Sequence, residues 1–115
     1  MIRVENHLGT IEISKNYLTT LIRYTVSNCY GVAGMEAYGA KQGITKLFSD
    51  DSSSKQGIII RQHNGKLIID LHIAVSYGVN ISAIVDSIIN KVTFAVEQTG
   101  VEVYKINVYV DSMKA

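Results

Sequence analysis

Between Lys66 and Val110 the spacing of apolar residues changes period twice, and this constrains the fold more than any other feature of the chain. Leu67, Ile69, Leu71, Ile73 and Val75 recur at every second position, the signature of a strand with one buried face. From Ile81 to Gln98 the period lengthens: Ile81, Ile84, Val85, Ile88, Val92, Ala95 and Val96, followed by Thr99, fall at helical spacing. Val101 to Val110 then returns to a strand pattern. Tyr77-Gly78-Val79 turns the chain, Asn80 offers a side-chain oxygen to cap the helix, and Thr99-Gly100 stops it. A strand, a helix and a strand joined by turns this short make a right-handed crossover, with the two strands parallel in one sheet.

The residues before this unit add to the same sheet. Asn64-Gly65 tolerates the positive φ of a type I′ turn, so the strand Gln56–His63 folds back antiparallel on the strand that starts at Lys66. Near the amino terminus, Gly9–Ile13 is a short strand with Ile11 and Ile13 on one face. Ser14 or Asn16 caps a helix from Lys15 to about Asn28, whose buried face carries Leu18, Leu21, Ile22, Thr25, Val26 and Cys29. Gly31 is placed to cap its end. Val32 to Tyr38 is a further short strand, Lys41 to Phe48 a short amphipathic helix, and Ser49–Ser54 a surface loop.

The resulting order is β-α-β-(α)-β-β-α-β, an α+β fold of two layers: a mixed β-sheet with both main helices on one face. In the last strand Tyr104, Ile106, Val108 and Val110 share the helix-side face, and Val103, Lys105, Asn107 and Tyr109 the other. The open face therefore carries Asp70, His72, Lys105, Asn107 and Tyr109, solvated or turned toward a partner.

At 115 residues, with 47% apolar and 18% charged side chains, the chain reads as one globular domain spanning 1–115. Eleven basic residues against ten acidic, scattered along the sequence, give no general attraction to nucleic acid or anionic lipid. Cys29 is the sole cysteine, which excludes an internal disulfide and favours a cytosolic address. The start, Met1 to His7, lacks a signal-peptide run, and no apolar stretch approaches the ~20 residues a bilayer span needs.

No constellation of side chains points to catalysis. Gly31-Val32-Ala33-Gly34 has the G-x-x-G spacing of a nucleic-acid clamp, but Val-Ala in its middle has nothing to offer a phosphate. Tyr77-Gly78-Val79-Asn80 precedes a helix but lacks a phosphate-loop or dinucleotide motif. His7, His63 and His72 show no metal-ligand spacing, because the Asn64-Gly65 turn sets His63 opposite Lys66 and away from His72. Asp70 and His72 lie about 7 Å apart along one strand face, too far for direct orientation and without a nucleophile beside them. Catalytic, cofactor-binding and metal-binding residues are therefore none. With no tryptophan and two phenylalanines, the seven tyrosines are expected to supply much of the aromatic packing, and any left exposed would anchor protein contacts.

Four segments together carry a resemblance: Gly31-Val32-Ala33-Gly34-Met35, Tyr77-Gly78-Val79-Asn80-Ile81, Thr99-Gly100-Val101 and Ile106-Asn107-Val108-Tyr109-Val110. In this order they resemble the alkaline shock protein family of Gram-positive envelope stress response proteins, across nearly the whole chain. The resemblance implies a cytoplasmic, non-enzymatic α+β domain concerned with cell-envelope homeostasis and acting through protein–protein interaction. It implies no cofactor, a membrane-anchored protein as one kind of partner, peripheral placement at the inner face of the membrane without insertion, and self-association into a homo-oligomer. Lacking long charged tails, the chain is similar to the short single-domain branch, often encoded beside a dihydroxyacetone-kinase-like fatty acid kinase. An accessory or small-ligand-binding role in lipid metabolism is the alternative that this branch implies.

Overall fold

The strand β5 (Lys66–Ser76) has both of its edges in use. The computed structural model describes residues 2–35 and 57–114, and the expected Lys41–Phe48 helix and Ser49–Ser54 loop lie outside them. Along one edge of β5 runs β6 (Val103–Lys114), parallel, from Leu67↔Val103 to Ser76↔Lys114. The other edge is shared: β4 (Ile58–His63) pairs antiparallel with its first half and β3 (Val32–Met35) with its second. Backbone direction shows the division. His72 and Ser76 N–H groups donate to Gly57 and Gly31, whereas those of Leu67 and Tyr77 donate to Glu102 and Lys114. The hairpin register, Ile58↔Leu71 to His63↔Lys66, is the one the Asn64-Gly65 turn requires, with φ of 51° and 80° at those two residues.

Two helices cover one face of this sheet. In α1 (Lys15–Ser27) the Ser14 hydroxyl accepts from the Tyr17 N–H, and in α2 (Ile81–Glu97) the Asn80 side chain accepts from the Ala83 N–H. Leu18, Ile22 and Val26 of α1 and Ile88, Val92 and Val96 of α2 meet Leu67, Ile69, Leu71, Ile73 and Val75 in a core from which solvent is excluded. Each such side chain contributes roughly 1.5–3 kcal/mol of burial against the chain entropy it gives up. Leu21 and Thr25 sit at the margin of that face, while Thr19 joins the buried set unannounced by the pattern.

Three features differ from expectation. A strand β1 (Ile2–Asn6) precedes β2 (Gly9–Ile13), and the pair forms a separate antiparallel sheet with Ile2 dipping into the core. A chain end with only five residues before the turn shows too little alternation to be recognised. Gly31 is not the cap of α1, which ends at Asn28 in a right-handed conformation. Its φ of 89° serves the turn into β3, where its bare Cα faces Ile84: an added Cβ would lie 2.3 Å from Ile84 Cδ1. Finally, β6 begins at Val103 and runs to Lys114, and register shifts between Val103 and Lys105 and between Val110 and Ser112 interrupt its alternation. The first bulge turns Val103 toward the core and leaves Tyr104 exposed, reversing their expected faces.

Candidate functional surface

The open face of the sheet is organised by β5 and its two neighbours. Asp70 and Asn107 stand in register on β5 and β6, and Asn107 Nδ2 donates to Asp70 Oδ1 at 2.8 Å. From β4, Arg61 Nη2 reaches Asp70 Oδ2 at 2.9 Å. Asp70 is only 9% exposed, so the expectation of a solvated carboxylate is corrected: its charge is held by a guanidinium and an amide. One rung along, His72 stacks on Tyr109 with ring centroids 4.8 Å apart, and its Nδ1 lies 2.9 Å from Asp111 Oδ2. Asp111 continues the open-face row of Lys105, Asn107 and Tyr109, and it was not foreseen as a partner because it lies one residue past the expected end of the strand at Val110. As expected, His63 is opposite Lys66 and far along the strand from His72; its ring instead packs on Tyr104 at 5.0 Å.

These contacts tie the polar side chains to one another. Asp70 and His72 belong to two separate pairings and share no partner in them, so they do not form a relay to a nucleophile. Among the described residues no group of three histidine, cysteine, aspartate or glutamate side chains is arranged to hold a metal ion. The open face is a rigid polar platform with Tyr109 and Lys105 at its surface.

A second surface lies on the far side of the helices. Among the described residues the tyrosines do not pack the core as expected: Tyr17, Tyr24, Tyr30, Tyr77, Tyr104 and Tyr109 are all exposed, and aliphatic side chains fill the interior. Tyr17 and Tyr24 of α1 stand across from Phe94 of α2, which is 68% exposed. Between them run two connected clefts of about 560 and 430 Å³ that share Phe94 and Ala95. Leu21 forms part of the floor of the first, while Asn28, Asn90 and Lys91 border the second. Tyr17, Leu21 and Tyr24 recur at i, i+4 and i+7, a second apolar stripe beside the buried one. That spacing was the available signal for this groove.

The sequence that builds these elements matches a known family pattern. The sequence pattern of the alkaline shock protein family, described as having a cell envelope-related function, matches residues 3–115. The chain belongs to the alkaline shock protein family. This family member is similar to Uncharacterized protein YloU of Bacillus subtilis (strain 168), with 31% identity covering 98% of this chain and 95% of that one. It is also similar to Uncharacterized protein Spy1614 of Streptococcus pyogenes serotype M6, with 28% identity covering 98% and 94%. No solved structure matches it. Among the described residues of this alkaline shock family chain, no helix is long and apolar enough to cross a membrane.

Proposed function

We propose that this chain is a non-enzymatic binding module that supports cell-envelope homeostasis by holding another protein in the groove between α1 and α2. The observation that carries the proposal is the exposure of Tyr17, Tyr24 and Phe94 around one apolar groove, in a protein whose aliphatic core is otherwise closed. Rigid aromatic side chains beside a groove are efficient protein anchors, because they bury much area while losing little side-chain freedom. A cell envelope-related family gives the setting. A membrane-anchored protein on the cytoplasmic side, or a fatty acid kinase, is the kind of partner this reading favours. An accessory role as an acyl-ligand carrier has less support, since the helix–sheet interface that would house a chain is filled by Leu18, Ile22, Ile88 and Val92.

The test is a photo-crosslinker built into position 94 in living cells, with position 86, another exposed site on α2, as control. A discrete adduct with an envelope-associated protein, obtained from position 94 and not from 86, is expected. Equal labelling from both positions, or none from either, would remove the groove as the binding surface.

A further inference from the structure

Among the described residues β6 pairs with β5 alone, so one side of this strand has no strand partner. On the opposite side of the sheet, Gln62 of β4 donates to the Arg3 carbonyl of the amino-terminal hairpin. From Lys105 to Val110, between its two bulges, β6 keeps a regular parallel register with β5. The N–H groups of Leu67 and Tyr77 point to β6 and those of His72 and Ser76 point away, so Ile69, Leu71 and Ile73 turn theirs to β6. In a parallel ladder the residues opposite them, Ile106, Val108 and Val110, then direct both N–H and C=O outward. No hydrogen bond to these outward groups is found among the described residues.

An apolar ledge runs beside this unpaired backbone. Helix α2 lies over β6, whereas α1 lies over β3 and β4. Phe94 and Ala95 of α2 face α1, so its other flank, with half-buried Val85 and Ile89, overhangs the free edge. Val108 and Val110, also half-buried, complete the ledge. On the open face of the same run the one charged side chain is Lys105, which is exposed and forms no ion pair among the described residues.

We propose that this edge takes one extended segment of another protein, added antiparallel along Lys105–Val110, with apolar side chains at alternate positions and a carboxylate after the last of them. The residues opposite Val110, Val108 and Ile106 exchange N–H···O bonds with them and turn their side chains beneath α2, onto Val85 and Ile89, which is why they are apolar. The next residue stands opposite Lys105 on the open face, where the unpaired ammonium meets an acidic side chain. A single strand fits where a second copy of the chain does not. Paired strands lie about 4.8 Å apart, but packed helices need about 8–10 Å between axes, so a second α2 over a second β6 would overlap the first. This surface is separate from the α1–α2 groove and does not depend on it.

The test is a titration of the full isotope-labelled chain with the peptide Gly-Ser-Val-Thr-Val-Thr-Val-Glu-Ser-Gly, followed by amide chemical shifts. Saturable binding with the largest shifts at Ile106, Val108 and Val110 is expected, and the Phe94→Gln chain should bind the peptide equally well. N-methylation of the peptide's middle Val removes the donor to the Val108 carbonyl and should weaken binding on the order of tenfold or more. Lys in place of the peptide's Glu should weaken it about fivefold, and Lys105→Glu in the chain should recover that loss, because an exposed ion pair is individually modest. Lys105 is exposed, so this variant keeps the core intact. Absence of saturable binding below about 1 mM overturns the proposal. So does binding that N-methylation leaves unchanged, a charge reversal that Lys105→Glu does not recover, shifts confined to the groove, or a chain that sediments as a dimer the peptide cannot dissociate.

Discussion

The two faces of β5 come from one strand and are held by different physics. Toward the helices, Leu67, Ile69, Leu71, Ile73 and Val75 are sealed among aliphatic neighbours, and the stabilisation is non-directional and proportional to area. Toward the open side, Asp70 and His72 depend on named atoms at hydrogen-bond distance: Arg61 and Asn107 for one, Asp111 and the ring of Tyr109 for the other. The inner face can trade one aliphatic residue for another of equal volume but not lose one; the outer face can lose a rim residue but not a central partner. The contrast explains why such a polar surface does not by itself mark a reaction centre. Its side chains have been spent on one another.

The largest expected effect is on the inner face. Leu71→Ala, which leaves a cavity at the middle of the central strand, should lower the unfolding free energy by about 2–5 kcal/mol in chemical denaturation. Tyr109→Ala, on the neighbouring strand but exposed, should cost less than about 1 kcal/mol. Near-equal losses would break the contrast between the faces.

Next comes Gly31→Ala, which combines a positive φ with a Cβ pressed against the end of the buried Ile84 side chain. A loss of about 1–3 kcal/mol is expected, and Ile84→Val beside it should recover part of this if steric crowding dominates. Absence of any recovery in the double variant would assign the whole cost to the backbone conformation.

On the outer face, Asp70→Ala removes the acceptor shared by Arg61 and Asn107. It should cost about 1–3 kcal/mol, while Arg61→Ala, whose guanidinium is largely in solvent, should cost under about 1 kcal/mol. The asymmetry is the point of the measurement: equal costs would mean that the salt bridge, rather than the buried carboxylate's full set of bonds, holds this face.

Much of the fold could be read from residue spacing. The crossover from β5 through α2 to β6, both side-chain caps and the Asn64-Gly65 hairpin follow from patterns a few residues long, and each is found where the pattern puts it. The misses share a cause. The first bulge of β6, which reverses Val103 and Tyr104, has no local signature because it arises from how the strand fits its neighbour, and the continuation of β6 past Val110, which supplies Asp111 to His72, is likewise set by pairing with β5. Similarly, tyrosine in an amphipathic stripe does not announce whether it faces a core or a groove. Helix α1 has two apolar stripes side by side, Leu18-Ile22-Val26 and Tyr17-Leu21-Tyr24, and only tertiary packing decides that the first is buried.

The smallest expected effect on stability is the most informative about binding. Phe94→Gln keeps a good helix former on α2 and removes an aromatic ring that is mostly in water, so the unfolding free energy should change by no more than about 0.5 kcal/mol. If the groove is where a partner seats, the same change should reduce capture of that partner on the order of tenfold or more, as loss of a central aromatic anchor does. Lys91→Gln, at the border of the second cleft, should reduce it far less. A Phe94→Gln protein with unaltered stability and unaltered partner binding would leave the groove without a role.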